Sequence, residues 1–150
     1  MTWIALLLCK GTAAMIADHK PVVPDSIVVI VNINNQIDKL STAQVKSYFL
    51  KRTKFWKSGE KVVFFDLRQS STIKTLFVKE VIKVSISRIE RYWLERKQRD
   101  GIYPPQQVGS QRLAIALVSR KTNAISYVYK NSLSTEDFQK VRIVYATPLP

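Results

Sequence analysis

The sequence predicts an α/β fold of three layers, αβα, with a mostly parallel sheet between two layers of helices. Segments rich in β-branched residues alternate with segments of helical periodicity along most of the chain. The apolar run at 27–31 has no polar alternation, which is typical of a strand covered on both faces. The length of 150 residues and a hydrophobic fraction of 46% fit one domain with one core.

The first helix is expected to begin at Ser41, because Ser41 and Gln44 form the pattern of a capping box just before apolar residues at helical spacing. A basic loop at 51–59 separates this helix from a second strand at 61–66. The first unit of the fold is therefore predicted to be strand, loop and helix.

Ser and Thr residues mark the starts of the next three helices. The cluster at 70–72 can cap a second helix, whose inner face is apolar. Ser87 and Glu90 predict a capping box for a third helix, and Ser110 can cap a fourth after a loop around Pro104. The remaining strands are expected at 124–129 and 141–145, with a short turn or helix near 135–137 between them.

The N-terminus has the residue order of a secretory signal peptide, with an apolar run at 3–9 followed by small residues. We predict a signal peptide at 1–17 and a mature domain at 18–150, with cleavage after Ala14 as an alternative. Cys9 after three leucines matches a lipoprotein box less well. The protein is therefore expected in the periplasm or outside the cell.

Charge is the unusual feature of the composition, with 24 Lys and Arg against 11 Asp and Glu, a net charge of +13. A field of this sign favours anionic partners such as small oxyanions, envelope polymers or nucleic acid, and it equally suits a solvated basic surface. No apolar run reaches the ~20 residues that a membrane-spanning helix needs.

Residue content argues against catalysis. The single histidine is His19 and the single cysteine is Cys9, so the body of the chain has no Ser-His-Asp or Cys-His arrangement and no thiolate zinc site. The four glycines form no nucleotide-binding loop. We expect no enzyme activity, no catalytic residue, no cofactor and no metal site.

Several short features follow one another at specific spacings. They are Val31-Asn32 at a strand end, Phe49-Leu50 before a loop with Trp56 and Gly59, Ser70-Ser71-Thr72 before Phe77, Tyr92-Trp93, Pro104-Pro105 with Val108, and the strand at 124–128. In this order they resemble the phosphate-type solute-binding proteins of ABC importers, in particular their small single-lobe relatives. The resemblance covers 27–129. It implies one lobe of a type 2 periplasmic-binding-protein-like fold and a role in transport without catalysis.

The resemblance also implies a ligand site at the start of the second helix, where the family binds phosphate at a Ser-Gly-Thr. Ser70, Ser71 and Thr72 fall on that motif, and helix N–H groups stabilise an oxyanion. Ser71 replaces the glycine, Asp66 replaces a family arginine, and Arg68 is the nearby cation that could compensate. The predicted anion site is thus Arg68, Ser70, Ser71 and Thr72, with helix capping alone as the alternative.

Three other positions depart from the glycines that are usual in the family. Lys51, Asn123 and Ser126 occupy them. Asparagine tolerates a positive φ, so Asn123 is compatible with the same turn. Lys51 adds a further cation to the basic loop.

A second function class is an interaction module that binds an envelope protein and has lost its ligand. Its possible contact surface is Lys54, Phe55, Trp56 and Lys57, because aromatic residues anchor interfaces, although both aromatic residues could instead belong to the core. A second basic face is predicted on the third helix, at Arg88, Arg91, Arg96, Lys97 and Arg99. Nucleic-acid binding is disfavoured by the export signal and by the absence of a known binding motif.

Overall fold

A computed structural model describes residues 26–147 of the chain. The predicted signal peptide at 1–17, with Cys9, and His19 lie outside the described residues. Five strands, four α-helices and three short helical segments are assigned within this range.

The elements follow one another in the order that the sequence predicts, except that a short strand, Gln106–Val108, lies in the segment predicted as a loop around Pro104. The strands are β1 (Ile27–Asn32), β2 (Val63–Leu67), β3 (Gln106–Val108), β4 (Ala124–Tyr129) and β5 (Val141–Thr147). The α-helices are α1 (Thr42–Phe49), α2 (Thr72–Phe77), α3 (Ile86–Asp100) and α4 (Gln111–Arg120). A π-helical segment, Val78–Ile82, continues α2, and short 3₁₀ turns lie at Lys130–Ser132 and Asp137–Gln139.

The five strands form one sheet in the order β3-β2-β4-β1-β5. Strand β2 pairs in parallel with β3 and β4, whereas β1 pairs antiparallel with β4 and β5. Every strand except β1 therefore runs in the same direction, which confirms a mostly parallel sheet. The run at 27–31 is fully buried as predicted, but its neighbouring strands are antiparallel to it. An apolar run indicates that both faces of a strand are buried, and it does not indicate the direction of the adjacent strands.

Helices cover both faces of the sheet, which confirms the three layers. On one face, the Asn32 side-chain amide donates to the Val118 and Ser119 carbonyls of α4 at 3.0 and 2.9 Å. On the other face, the ring of Tyr127 in β4 stacks on Phe77 with centroids 3.8 Å apart and meets the edge of Phe49. The core thus lies on both sides of β1 and β4.

Two of the four predicted helix starts are capped as the sequence predicts, and Ser71 begins α2 within the predicted cluster but makes no side-chain capping bond. Ser41 and Gln44 form the predicted capping box, and the Ser110 hydroxyl accepts from the Leu113 N–H. The predicted box at Ser87 and Glu90 is wrong, because Ser85 caps α3 by accepting from the Arg88 N–H.

Two non-glycine residues of the described chain adopt positive φ, Lys51 at 49° and Lys83 at 64°. Lys51 holds a position where the resemblance implies glycine, so the backbone there keeps the conformation that glycine favours. Asn123 lies in the turn before β4 without a positive φ, and its side-chain amide donates to the Lys61 carbonyl at 2.8 Å.

The helices of residues 26–147 are all too short or too polar to cross a lipid bilayer.

Candidate functional site

The turn between β2 and α2 positions the predicted anion-binding residues. Ser71 has extended backbone angles, φ −82° and ψ 138°, and its N–H and hydroxyl both donate to the Arg68 carbonyl, at 2.9 and 2.6 Å. The helical bonding of α2 begins with the Thr75 N–H, which donates to the Ser71 carbonyl at 3.3 Å. Ser71 therefore occupies the cap position, but its hydroxyl is used within the turn.

The first amide groups of α2 are left without a side-chain cap. Ser71 makes no capping bond, and within residues 26–147 no acceptor is found for the N–H groups of Thr72, Ile73 and Lys74. Such groups need a partner from water or a ligand. Ser70 and Thr72 are exposed and Ser71 is half-buried, so this end of the helix is accessible to solvent.

Asp66, which occupies the position of the family arginine, lies in the core below the turn. Its carboxylate forms an ion pair with Lys74 and accepts from the Tyr127 hydroxyl at 2.5 Å. The side chains of Asp66 and Lys74 are only 6% and 7% exposed. Burial, and then the charge of Asp66, raise the pKa of Tyr127 well above its usual value. The negative charge of Asp66 is thus compensated by Lys74 inside the protein.

The Arg68 guanidinium lies close to the loop that precedes α4. A Cβ atom placed on Gly109 would lie 3.3 Å from the Arg68 Nη2 and 3.6 Å from its Cζ, so the guanidinium lies against the Gly109 backbone. Arg68 is exposed and forms no ion pair with any other residue of the described range. Of the four predicted residues, Ser70, Ser71 and Thr72 share one turn, and the guanidinium of Arg68 lies against the neighbouring loop at Gly109.

A cleft of about 270 Å³ opens beside this turn, between the sheet edge and α3. Trp93 and Pro104 form apolar parts of its wall, and Glu90 accepts a hydrogen bond from the Gln69 side chain at its edge. The Asp66–Lys74 pair lines the same cleft.

Sequence reasoning missed Lys74 as the partner of Asp66. The sequence contained an indication of this pair. Lys74 lies one helical turn before Phe77, a residue of the predicted inner face of α2, and a cation next to that face would be costly without a partner.

The predicted contact surface at 54–57 contains both exposed and buried residues. Trp56 is 4% exposed, its indole N–H donates to the Asn123 carbonyl at 3.0 Å, and its ring packs on Tyr48. Trp56 is therefore a core residue, the alternative that the sequence left open. Phe55 is 55% exposed, and Lys54 and Lys57 are exposed beside it.

Comparison with known proteins shows similarity in structure. No protein-family model and no curated protein matches the sequence. An ABC-type phosphate transport receptor from Vibrio cholerae matches over 83% of this chain and 48% of its own, with a TM-score of 0.63 and 18% identity. PstS from Borrelia burgdorferi matches over 80% of this chain and 46% of its own, with a TM-score of 0.61 and 14% identity.

These comparisons confirm the fold that the resemblance implies. The chain spans about half the length of the solved structures it matches, as expected for a single lobe. At this level of identity the likeness concerns the fold alone. The Vibrio cholerae protein is described as a phosphate transport receptor.

Proposed function

We propose that this protein is a solute-binding-like domain of the cell envelope that binds a small oxyanion, such as phosphate, without catalysing a reaction. The observation that carries the proposal is the open start of α2. In a fold like that of phosphate receptors, this turn presents exposed hydroxyls and amide groups that no side chain caps.

The turn offers the donors that an oxyanion needs. The N–H groups of Thr72, Ile73 and Lys74 begin a helical segment that continues through the π-helix Val78–Ile82, and the aligned peptide dipoles favour negative charge at its start. The hydroxyls of Ser70 and Thr72 add donors, and the unpaired Arg68 adds a positive charge nearby.

The buried ion pair removes the main electrostatic objection to this site. An unpaired carboxylate at Asp66 would repel an anion at the turn, but Lys74 compensates that charge. Two features weaken binding relative to a two-lobed receptor. The Ser71 side chain restricts the close approach that a glycine permits, and a single lobe leaves one side of the anion in water. We expect a dissociation constant on the order of 1 mM.

Calorimetric titration of the purified protein with phosphate tests this function. Arg68→Ala should weaken binding about tenfold, because a charged hydrogen bond contributes roughly 1.5–3 kcal/mol. Arg120→Ala is the matched control, since Arg120 is also an exposed arginine without an ion pair in the described chain, and this variant should bind like the parent. An absence of heat at several millimolar phosphate, or equal weakening in both variants, contradicts the proposal.

Export through a signal peptide at 1–17 is part of the proposed function. The sequence pattern supports it, and the net charge remains strongly positive after cleavage. The N-terminal sequence of protein recovered from the periplasm should begin at residue 18, or at residue 15 after cleavage at Ala14. An uncleaved cytoplasmic protein contradicts it.

A further inference from the structure

A basic groove lies where the π-helical segment ends and α3 begins. Two adjoining hollows, of about 790 and 160 Å³, share Val84 and Arg88 in their linings. The chain turns sharply between them, because Lys83 has a left-handed conformation and the Val84 N–H returns to the Val78 carbonyl at 3.3 Å. We refer to the two hollows together as the basic groove.

The floor of the basic groove is apolar. Val84 and Ile86 are half-buried in the larger hollow, and Ile82 is buried in the smaller one beside the half-buried Tyr92. Val84, Ile86 and Tyr92 remain partly open to water. The cations around them extend further into solvent, with the Lys79 and Lys83 side chains 74% and 64% exposed.

The edge of the basic groove carries an excess of positive charge. Five cations line the two hollows: Lys46, Arg52, Lys79, Lys83 and Arg88. Glu80 contacts Lys79 and Lys83, each at 3.7 Å. Lys46, Arg52 and Arg88 form no ion pair with any residue in 26–147. This concentration of unpaired cations around apolar side chains is complementary to a ligand with both acidic and apolar groups.

We propose that the basic groove docks an acidic amphipathic helix of a partner protein. The apolar face of such a helix would cover Val84 and Ile86, and its acidic residues would meet Arg52, Arg88 and Lys83. This is the common arrangement in which a groove binds a helix through apolar contacts while charges at the edge select the partner and speed association.

Other occupants fit the basic groove less well. A second copy of the chain also carries +13 and is repelled. Residues 1–25 contain two acidic and two basic residues, so this segment offers no charge complementarity. A lipid surface is usually entered by protruding apolar side chains, and the large exposed ones of the described chain (Phe55, Leu94, Tyr103, Leu113 and Phe138) do not line the groove.

The proposed docking does not depend on the proposed anion site. None of Arg68, Ser70, Ser71 and Thr72 lines the basic groove. Phosphate binding and helix docking can therefore succeed or fail separately.

Fluorescence anisotropy with a designed probe tests the docking. The probe is a synthetic 18-residue amphipathic helix with leucine on one face and glutamate on the other, and a lysine-for-glutamate peptide serves as its control. Arg52→Glu/Arg88→Glu should weaken binding of the acidic probe at least tenfold, and Val84→Ser at least threefold. The matched variant Arg120→Glu/Lys121→Glu reverses two exposed cations elsewhere and should change binding less than twofold.

Three results would overturn the proposal. Equal weakening of probe binding by the two charge-reversal pairs would indicate general attraction to a basic protein. Unchanged probe binding by Val84→Ser would show that the apolar floor does not contribute. No measurable binding of the acidic probe also overturns it. Sedimentation with phosphatidylglycerol vesicles tests the lipid alternative: vesicle binding that Arg52→Glu/Arg88→Glu abolishes, with no peptide binding, assigns the groove to a membrane.

Discussion

At the scale of single residues, a buried polar cluster joins β2, α2 and β4. Asp66 is held by the Lys74 ammonium and the Tyr127 hydroxyl, and Tyr127 stacks on Phe77. A buried charge destabilises a protein strongly when its partner is removed, so these three side chains depend on one another. The cluster keeps a carboxylate near the proposed anion site without leaving its charge exposed there.

The raised pKa of Tyr127 makes stability depend on pH in the alkaline range. In the unfolded chain this hydroxyl ionises near pH 10, whereas burial and Asp66 keep it protonated to higher pH in the folded protein. The contribution of the protonated Tyr127 hydroxyl to the free energy of unfolding is therefore complete below pH 10, and it is lost as the pH rises through the folded-state pKa. Tyr127→Phe should show a smaller fall in the free energy of unfolding between pH 9.5 and 11, measured by urea denaturation. Tyr103→Phe, at a tyrosine 61% exposed, should retain the parent slope; identical slopes for all three proteins contradict the assignment.

At the scale of elements, the ends of helices decide where the site residues lie. Helix α1 ends at Phe49 with Leu50 as its C-cap, and Lys51 then reverses the chain in a left-handed conformation that begins the basic loop. Burial, and then the charges of Lys61 and Lys54, lower the pKa of Lys51. This residue therefore combines backbone strain with electrostatic repulsion.

Replacing Lys51 by glycine should stabilise the protein by about 1 kcal/mol, because an L-residue in the left-handed region costs roughly 1–2 kcal/mol. Lys51→Ala is the control, since it removes the same charge and side-chain contacts but retains the strained backbone. Urea denaturation should give the glycine variant the higher free energy of unfolding of the two. An alanine variant as stable as the glycine variant would show that the backbone strain is absent.

Local patterns were readable from the sequence, and long-range choices were not. The Ser41 capping box is contained in four residues, so it was found, whereas both Ser85 and Ser87 can cap a helix by the local rule and Ser85 caps α3 in the structure. The run at 27–31 revealed burial but not the antiparallel direction of β1. The contact of Arg68 with Gly109 joins residues 41 positions apart, which spacing alone does not predict.

At the scale of the whole molecule, the chain is one lobe-sized α/β unit with a strongly positive charge. Its described part resembles about half of a phosphate receptor, so an anion at α2 would lie on an open face. The basic groove lies at the far end of the helical segment that begins there, and the net charge of +13 would attract the ligands proposed for both sites. Small anions and acidic protein segments are thus compatible ligands of one molecule.

The most direct test of this account is a ¹H–¹⁵N correlation spectrum recorded during a phosphate titration at constant ionic strength. Anion binding at this helix start should shift the amide signals of Thr72, Ile73 and Lys74 most and bring them to saturation, because their N–H groups begin α2 without a side-chain cap. Sodium chloride at matched ionic strength should leave them in place. Phosphate shifts that are absent, that equal those caused by chloride, or that map elsewhere would contradict anion binding at this helix start.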